Sequence, residues 1–293
     1  MKKYLKRLTL FSLPLLAYFL AVLIFDPFNF FNFNRNESKD KIAYEVDHVL
    51  WNCINFKNSP KQVIILGDSR VTGFSNECVN ASENEFFNMG FNGTSLQEII
   101  DIFWDITERV KLKEVYIGIG FHEYNSMQSL NRLNKACSSR DNFLSYSLNK
   151  STFKTIAYYI QKKYFKSKQK IRKKHTKQWN KALNFIDRTY YQNYKYPEHY
   201  FIQLNKISQY CKKNKIRLVF FIPPNHRDVQ KLVEKNNLLE LQVRFKNDLK
   251  KMGEFYDFDI ESEITKDQTK YEDPFHLDDK MYTNEMCSII SSH

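Results

Sequence analysis

The sequence predicts an α/β fold in three layers, with helices on both faces of a central parallel sheet. Three observations carry that reading. Short apolar runs rich in β-branched and aromatic residues recur at 62–66, 85–88, 114–119, 217–222 and 254–258, and amphipathic or polar stretches of helical length separate them. Alternation of this kind brings successive strands together through helical crossovers, which makes the sheet parallel and covers both faces. The 293 residues suffice for one such domain with a proper core after an N-terminal segment.

The first seven residues are basic, and 8–25 is an uncharged apolar stretch of about the length a tilted helix needs to cross a bilayer. Lys and Arg stay on the cytoplasmic side, so 1–7 is expected inside and everything after Asp26 outside. No small-x-small cleavage site follows the apolar run; Asp26-Pro27-Phe28-Asn29-Phe30-Phe31 comes instead, which favours a retained anchor over a cleaved signal peptide. The segment 26–60 then reads as a juxtamembrane linker and 61–293 as the α/β domain, with a basic helical insertion over 150–200.

Within the domain, Gln62-Val63-Ile64-Ile65-Leu66 is a buried strand closed by Gly67. Ser69 therefore sits at its carboxyl end, the rim where ligands bind in open parallel sheets. A helix starts at Thr94, which has capping-box spacing to Gln97. Leu96, Ile99, Ile100, Phe103, Trp104 and Thr107 share one of its faces and belong to the core. The strand at 217–222 ends in Pro223-Pro224-Asn225-His226. The prolines are first a structural stop, and Asn225 and His226 are secondary candidates for substrate contact.

Chemistry enters with Gly67-Asp68-Ser69 and, some two hundred residues later, Asp273-Pro274-Phe275-His276. A serine hydroxyl attacks carbonyls well only when a positioned base takes its proton. His276 is the candidate base, and Asp273 is close enough to hold its imidazole in the right tautomer.

With these blocks the chain resembles the SGNH, or GDSL-type, hydrolase superfamily. That family places its nucleophile in a Gly-Asp-Ser block after the first strand, here Gly67-Asp68-Ser69-Arg70. Its Asp-x-x-His block precedes the last helix, here Asp273 to Leu277. Asn88-Met89-Gly90-Phe91-Asn92-Gly93 resembles the glycine block, which makes the Gly90 amide an oxyanion donor beside that of Ser69. The fourth block departs from the family. Gly120-Phe121-His122-Glu123 places His122 where the family carries a donating asparagine. Asp68, Arg70 and Asn92 flank these blocks as candidate substrate contacts.

The resemblance implies a flavodoxin-like sheet, a serine esterase or acyltransferase, and no cofactor. It is nearest to the membrane-anchored branch that includes proteins of alginate O-acetylation and teichoic-acid D-alanylation. The implied substrate is an acyl group, acetyl foremost, on an envelope polysaccharide outside the inner membrane, with water or a sugar hydroxyl as acceptor. A non-catalytic glycan-binding partner of a membrane acyltransferase is the second reading, and an acyl-lipid hydrolase the third.

The net charge of +12 comes largely from 162–177, with nine Lys or Arg and no acid. Such a run is either a solvated helix face or an attractor of anionic lipid headgroups or acidic glycans. A domain facing outward rarely meets nucleic acid, so none is expected. The five cysteines show no metal-ligand spacing, so no metal is expected, and the odd number leaves at least one unpaired. Cys53 with Cys78 is one candidate pair. Cys211, in a helical pattern with Phe201, Leu204 and Ile207, reads as a buried free thiol. His48, His175, His199 and His293 receive no role.

Overall fold

The computed structural model describes residues 2–33, 37–128, 130–164, 176–278 and 280–291. Its chain divides into two compact units, 60–131 with 171–293, and 1–59 with 132–170.

The first unit holds a five-stranded sheet of β1 (Val63–Leu66), β2 (Phe86–Asn88), β3 (Glu114–Gly118), β4 (Arg217–Ile222) and β5 (Glu254–Asp257). All four pairings are parallel and the order is β2-β1-β3-β4-β5, the flavodoxin-like arrangement. Each strand lies where an apolar run predicted it, within a residue or two at the ends. The register sets Ile65 beside Tyr116, Tyr116 beside Val219 and Phe221 beside Tyr256. These side chains share one face with Val63 and pack against Val71, Phe74, Val79, Met286 and Ile290. The intervening residues Ile64, Val115, Ile117 and Phe220 are equally buried and point to the other face by the period of two. The helix Glu198–Asn214 packs there against β4 and beside Leu96–Thr107.

The helix after β2 begins one residue later than its predicted cap. Ser95 Oγ accepts from the Glu98 amide at 3.2 Å, and Glu98 Oε2 accepts from the Ser95 amide at 3.0 Å. The carboxylate three positions on completes this reciprocal pair, whereas Thr94 turns its hydroxyl to Phe91 O. Ile99, Ile100 and Phe103 are buried as expected, while Trp104 and Thr107 lie at the half-buried edge.

The second unit corrects the expected linker. Residues 26–60 contain the helices Glu37–Val46 and His48–Asn58, and the unit continues with Leu133–Asp141, Phe143–Ser147 and Lys150–Tyr164. Helical spacing buries Val49, Leu50, Cys53, Ile54 and Phe56, and Asp47 caps their helix by accepting from the Leu50 amide at 3.0 Å. Asp26 accepts the amides of Phe30 and Phe31 at 2.7 and 3.0 Å, and Tyr146 Oη donates to it at 3.2 Å. The Phe30 ring stacks on Tyr146 with centroids 4.5 Å apart.

The expected anchor forms the helix Lys2–Phe25, with Pro14 inside it. The side chains of 8–10 fall outside the described residues. Among the described residues no helix is long and apolar enough to cross a membrane, so the expected crossing is not met there. Residues 165–175 of the basic run also fall outside the described residues.

The cysteine pairing differs from the candidate pair. Cys78, in the turn Asn76–Val79, is bonded to Cys287 of the last helix, Lys280–Ser291. Cys53 is buried and outside this disulfide. Cys211 is a buried free thiol, as expected, and burial pushes its pKa up to about 12.

Candidate active site

Ser69 opens a single 3₁₀ turn, Ser69–Val71, directly after β1. The turn is fixed from below by Val71, which is fully buried among glycines at three strand ends. A Cβ on Gly90 or Gly118 would lie 2.4 Å from a Val71 methyl, and one on Gly67 would lie 2.9 Å away. Gly67 also has φ of +156°, a conformation that side chains rarely adopt. The sequence's three glycines therefore admit the valine that seats the serine.

Ser69 Oγ lies 2.6 Å from His276 Nε2, and His276 Nδ1 lies 2.8 Å from Asp273 Oδ2. The other carboxylate oxygen of Asp273 accepts the amides of Phe275 and His276 at 2.9 and 3.0 Å. That local turn explains the spacing: three residues let one carboxylate hold both the backbone and the ring of the same histidine. Burial lowers the His276 pKa, but the Asp273 hydrogen bond and charge outweigh it and leave the pKa raised. Burial raises that of Asp273, and the contacts to His276 outweigh it and leave it lowered. Asp273 is thus ionised where His276 exchanges its proton, which is the division of roles a serine-activating pair needs.

Beside the triad lies a buried ion network. Arg70 donates through Nε to Asp68 at 3.0 Å and through Nη2 to Glu123 at 2.8 Å, and through Nη1 to Asn225 Oδ1 at 3.2 Å. Asn225 in turn donates to Asp259 from its amide and side chain, at 3.2 and 3.1 Å. Burial raises the Asp68 pKa, but the Arg70 charge outweighs it and leaves Asp68 lowered. Burial and the neighbouring Asp68 charge hold Glu123 well above the usual carboxylate range. One guanidinium does not support two buried anions equally.

His122 follows β3 and is buried against Phe275 and Tyr190, with ring centroids 4.5 and 4.9 Å away. Its Nδ1 has no hydrogen-bond partner among the described residues. Burial, then the Arg70 charge, lowers its pKa to about 3, so the ring is neutral at ordinary pH. Asp68, His122 and Glu123 offer three ligand atoms within 4.8 Å of one another. The Arg70 guanidinium already meets both carboxylates, which places a fixed cation where a metal would bind.

A cavity of about 900 Å³ opens over these groups. Ser69, His276, Asp273, His122, Asn92, Asp68 and Arg70, all candidates from the sequence, line it. Ala182, Phe185, Ile186, Tyr190 and Phe275 supply an apolar side that sequence reading did not assign. Tyr190 comes from a π-helical turn, Asp187–Tyr191, a local geometry without a simple sequence signature.

Three expected roles change. The Gly90 amide donates to Asn88 Oδ1 at 2.8 Å, so it does not stand open to an oxyanion. Asn225 is taken up by Arg70 and Asp259, and is not a cavity residue. His226 accepts the Asp228 amide at its Nδ1, 3.1 Å away, and caps the helix Arg227–Lys235. Its ring packs against Trp179 and Tyr271.

No family model matches the chain, and no curated protein matches it. Among solved structures it is similar to a protein from Streptococcus pneumonia provisionally described as a platelet activating factor. The TM-score is 0.43 and the identity 11%, over 87% of this chain and 94% of that one. It is also similar to a protein from Bacteroides fragilis NCTC 9343 provisionally described as an acylhydrolase. There the TM-score is 0.39 and the identity 12%, over 85% and 95% of the two chains. Likeness at this level leaves the assignment to the geometry of the site.

Proposed function

We propose that this chain is a serine esterase of the SGNH type, acting on an acyl ester that enters the cavity over Ser69. The observation that carries the reading is the hydrogen-bonded chain Ser69–His276–Asp273 at the carboxyl rim of a parallel sheet. Ser69 Oγ attacks the acyl carbonyl carbon as its proton passes to His276 Nε2, while Asp273 stabilises the imidazolium through Nδ1–H. The proton then goes to the departing alcohol oxygen as the ester bond breaks, which leaves an acyl-serine. An incoming water or sugar hydroxyl gives its proton to His276 and takes the acyl group, and His276 returns that proton to Ser69 Oγ as the acyl-serine bond breaks.

The developing oxyanion needs donors fixed before the reaction. The Ser69 amide, at the start of its turn, is one. The neutral ring of His122, a residue that lines the cavity, is proposed as the second in place of Gly90.

The envelope setting rests on the basic N-terminus and the apolar stretch behind it. Phe11, Leu13, Leu16, Leu20 and Ile24 of the first helix are exposed, as a membrane-attached segment requires. An acetylated polysaccharide is the proposed substrate, and a membrane acyltransferase the proposed partner.

The full chain is incubated with a fluorophosphonate probe and a chromogenic acetyl ester. Labelling and turnover that both vanish in Ser69→Ala support the esterase. Absence of both from the unsubstituted chain sinks it. One observation favours the second reading, a glycan-binding partner without turnover: the Gly90 amide is engaged by Asn88. That reading gains if the probe fails while an acetylated glycan still binds.

A further inference from the structure

We propose that the all-helical unit lodges in an anionic bilayer through a second face besides the N-terminal helix, formed by the helices Phe143–Ser147 and Lys150–Tyr164. Leu148 is 67% exposed, and Leu144 and Phe153 are each 59% exposed. Ile160 is also exposed, and so is Ala157. Phe153, Ala157 and Ile160 fall on one side of their helix by their spacing of four and three. Water-soluble chains rarely leave a contiguous apolar patch of this kind uncovered.

The patch continues onto the N-terminal helix. Phe153 lies against Tyr18, Phe143 against Phe19 and Tyr159 against Phe25, with ring centroids 6.2, 6.1 and 6.0 Å apart. The Tyr18 hydroxyl donates to Ser147 O. Leu20, Leu23 and Ile24 of that same stretch are exposed in turn. Whatever apolar medium receives residues 18–25 therefore also meets Leu144, Leu148 and Phe153.

Charge decides between a bilayer and a second copy of the chain. Lys150 and Lys154 flank the apolar stripe along one edge and are exposed, and the sequence continues from Lys162 to Lys177 without an acid. Two such faces repel each other. A stripe of apolar side chains edged by lysines suits the boundary between acyl chains and anionic headgroups. Lodging of this kind needs no helix to cross, and it stands whether or not the chain hydrolyses esters.

The test uses the full chain reconstituted into phosphatidylglycerol and phosphatidylcholine vesicles whose acyl chains carry bromine. Leu148→Trp reports from the proposed face, and Ile202→Trp, at an exposed position in the sheet-bearing unit, serves as reference. Emission from the native tryptophans is subtracted with the unsubstituted chain. Bromine is expected to quench Leu148→Trp by about twofold or more, and to leave Ile202→Trp little changed. The double change Lys150→Glu, Lys154→Glu should weaken quenching in vesicles containing phosphatidylglycerol and not in neutral ones. Quenching no greater at 148 than at 202 overturns the proposal. So does cross-linking through position 148 into a dimer without quenching, which would show that a second copy covers the face.

Discussion

The rings of His122 and Phe275 lie against each other, centroids 4.5 Å apart and planes 28° from parallel. The end of β3 is thereby coupled to the residue preceding His276. A buried neutral imidazole with one unpartnered nitrogen is costly unless something meets it, and the proposed oxyanion role would supply a substrate oxygen as a partner for the ring. His122→Ala is expected to lower the acylation rate by about 10²-fold with little change in substrate affinity, because the contact strengthens only in the transition state. His122→Asn should recover part of the loss. Single-turnover acylation measures this directly, and equal rates in all three proteins would remove His122 from the reaction.

The triad is expected to fail as a unit. Ser69→Ala and His276→Ala should each remove about 10⁶-fold in kcat, and the double change should add little. Asp273→Asn should cost less, about 10⁴-fold. The check is kcat for the four variants against one ester. Multiplicative losses in the double variant would mean that the two residues act independently.

The acid limb of the rate profile follows from opposing influences on His276. Burial lowers its pKa, and the Asp273 hydrogen bond and charge raise it by more. The base works only when neutral, so kcat/KM should rise with pH through a value above that of ordinary histidine and then level off. Asp273→Asn removes the raising influences of that carboxylate and keeps the burial, so the limb should shift to lower pH as the plateau drops. A limb that stays in place or moves up contradicts the pairing.

Gly90→Ala tests the seat of the nucleophile turn. Its new methyl would fall 2.4 Å from Val71 Cγ2, whereas a Cβ at Gly73 meets nothing within 4 Å. Overpacking of this kind costs about 1–3 kcal/mol. Thermal melting should show that loss for Gly90→Ala and not for Gly73→Ala, and the loss should shrink in a Val71→Ala background. Equal losses in both backgrounds would mean that the two residues do not compete for space.

What the sequence made legible was whatever repeats locally. The five strands were readable because Val, Ile and Phe cluster between turn residues, and the triad because Asp273 and His276 sit within one turn. The Ser95 cap was read one residue early because Thr94 and Gln97 offer the same spacing as Ser95 and Glu98. Among contacts between distant residues, Ser69 with His276, 207 apart, was readable from residue type, and the others were not. Cys78 meets Cys287 across a sequence separation of 209, and the Arg70 network gathers Asp68, Glu123, Asn225 and Asp259 from four strand ends. Gly90 differs for a local reason: the Asn88 side chain, two residues earlier, turns back to accept its amide, and an Asn-x-Gly pattern does not show which way that side chain turns.

The all-helical unit is assembled from two stretches, 1–59 and 132–170, with much of the sheet's chain between them. A protease cut or an expression start placed near residue 60 would not trim off a dispensable leader. It would strip Phe30 from the face of Tyr146 and Asp26 from its hydroxyl, stranding 132–170 as a sticky remnant on the fragment. During synthesis the first 59 residues likewise leave the ribosome about seventy residues before their packing partners begin to follow, an interval in which their apolar faces wait uncovered.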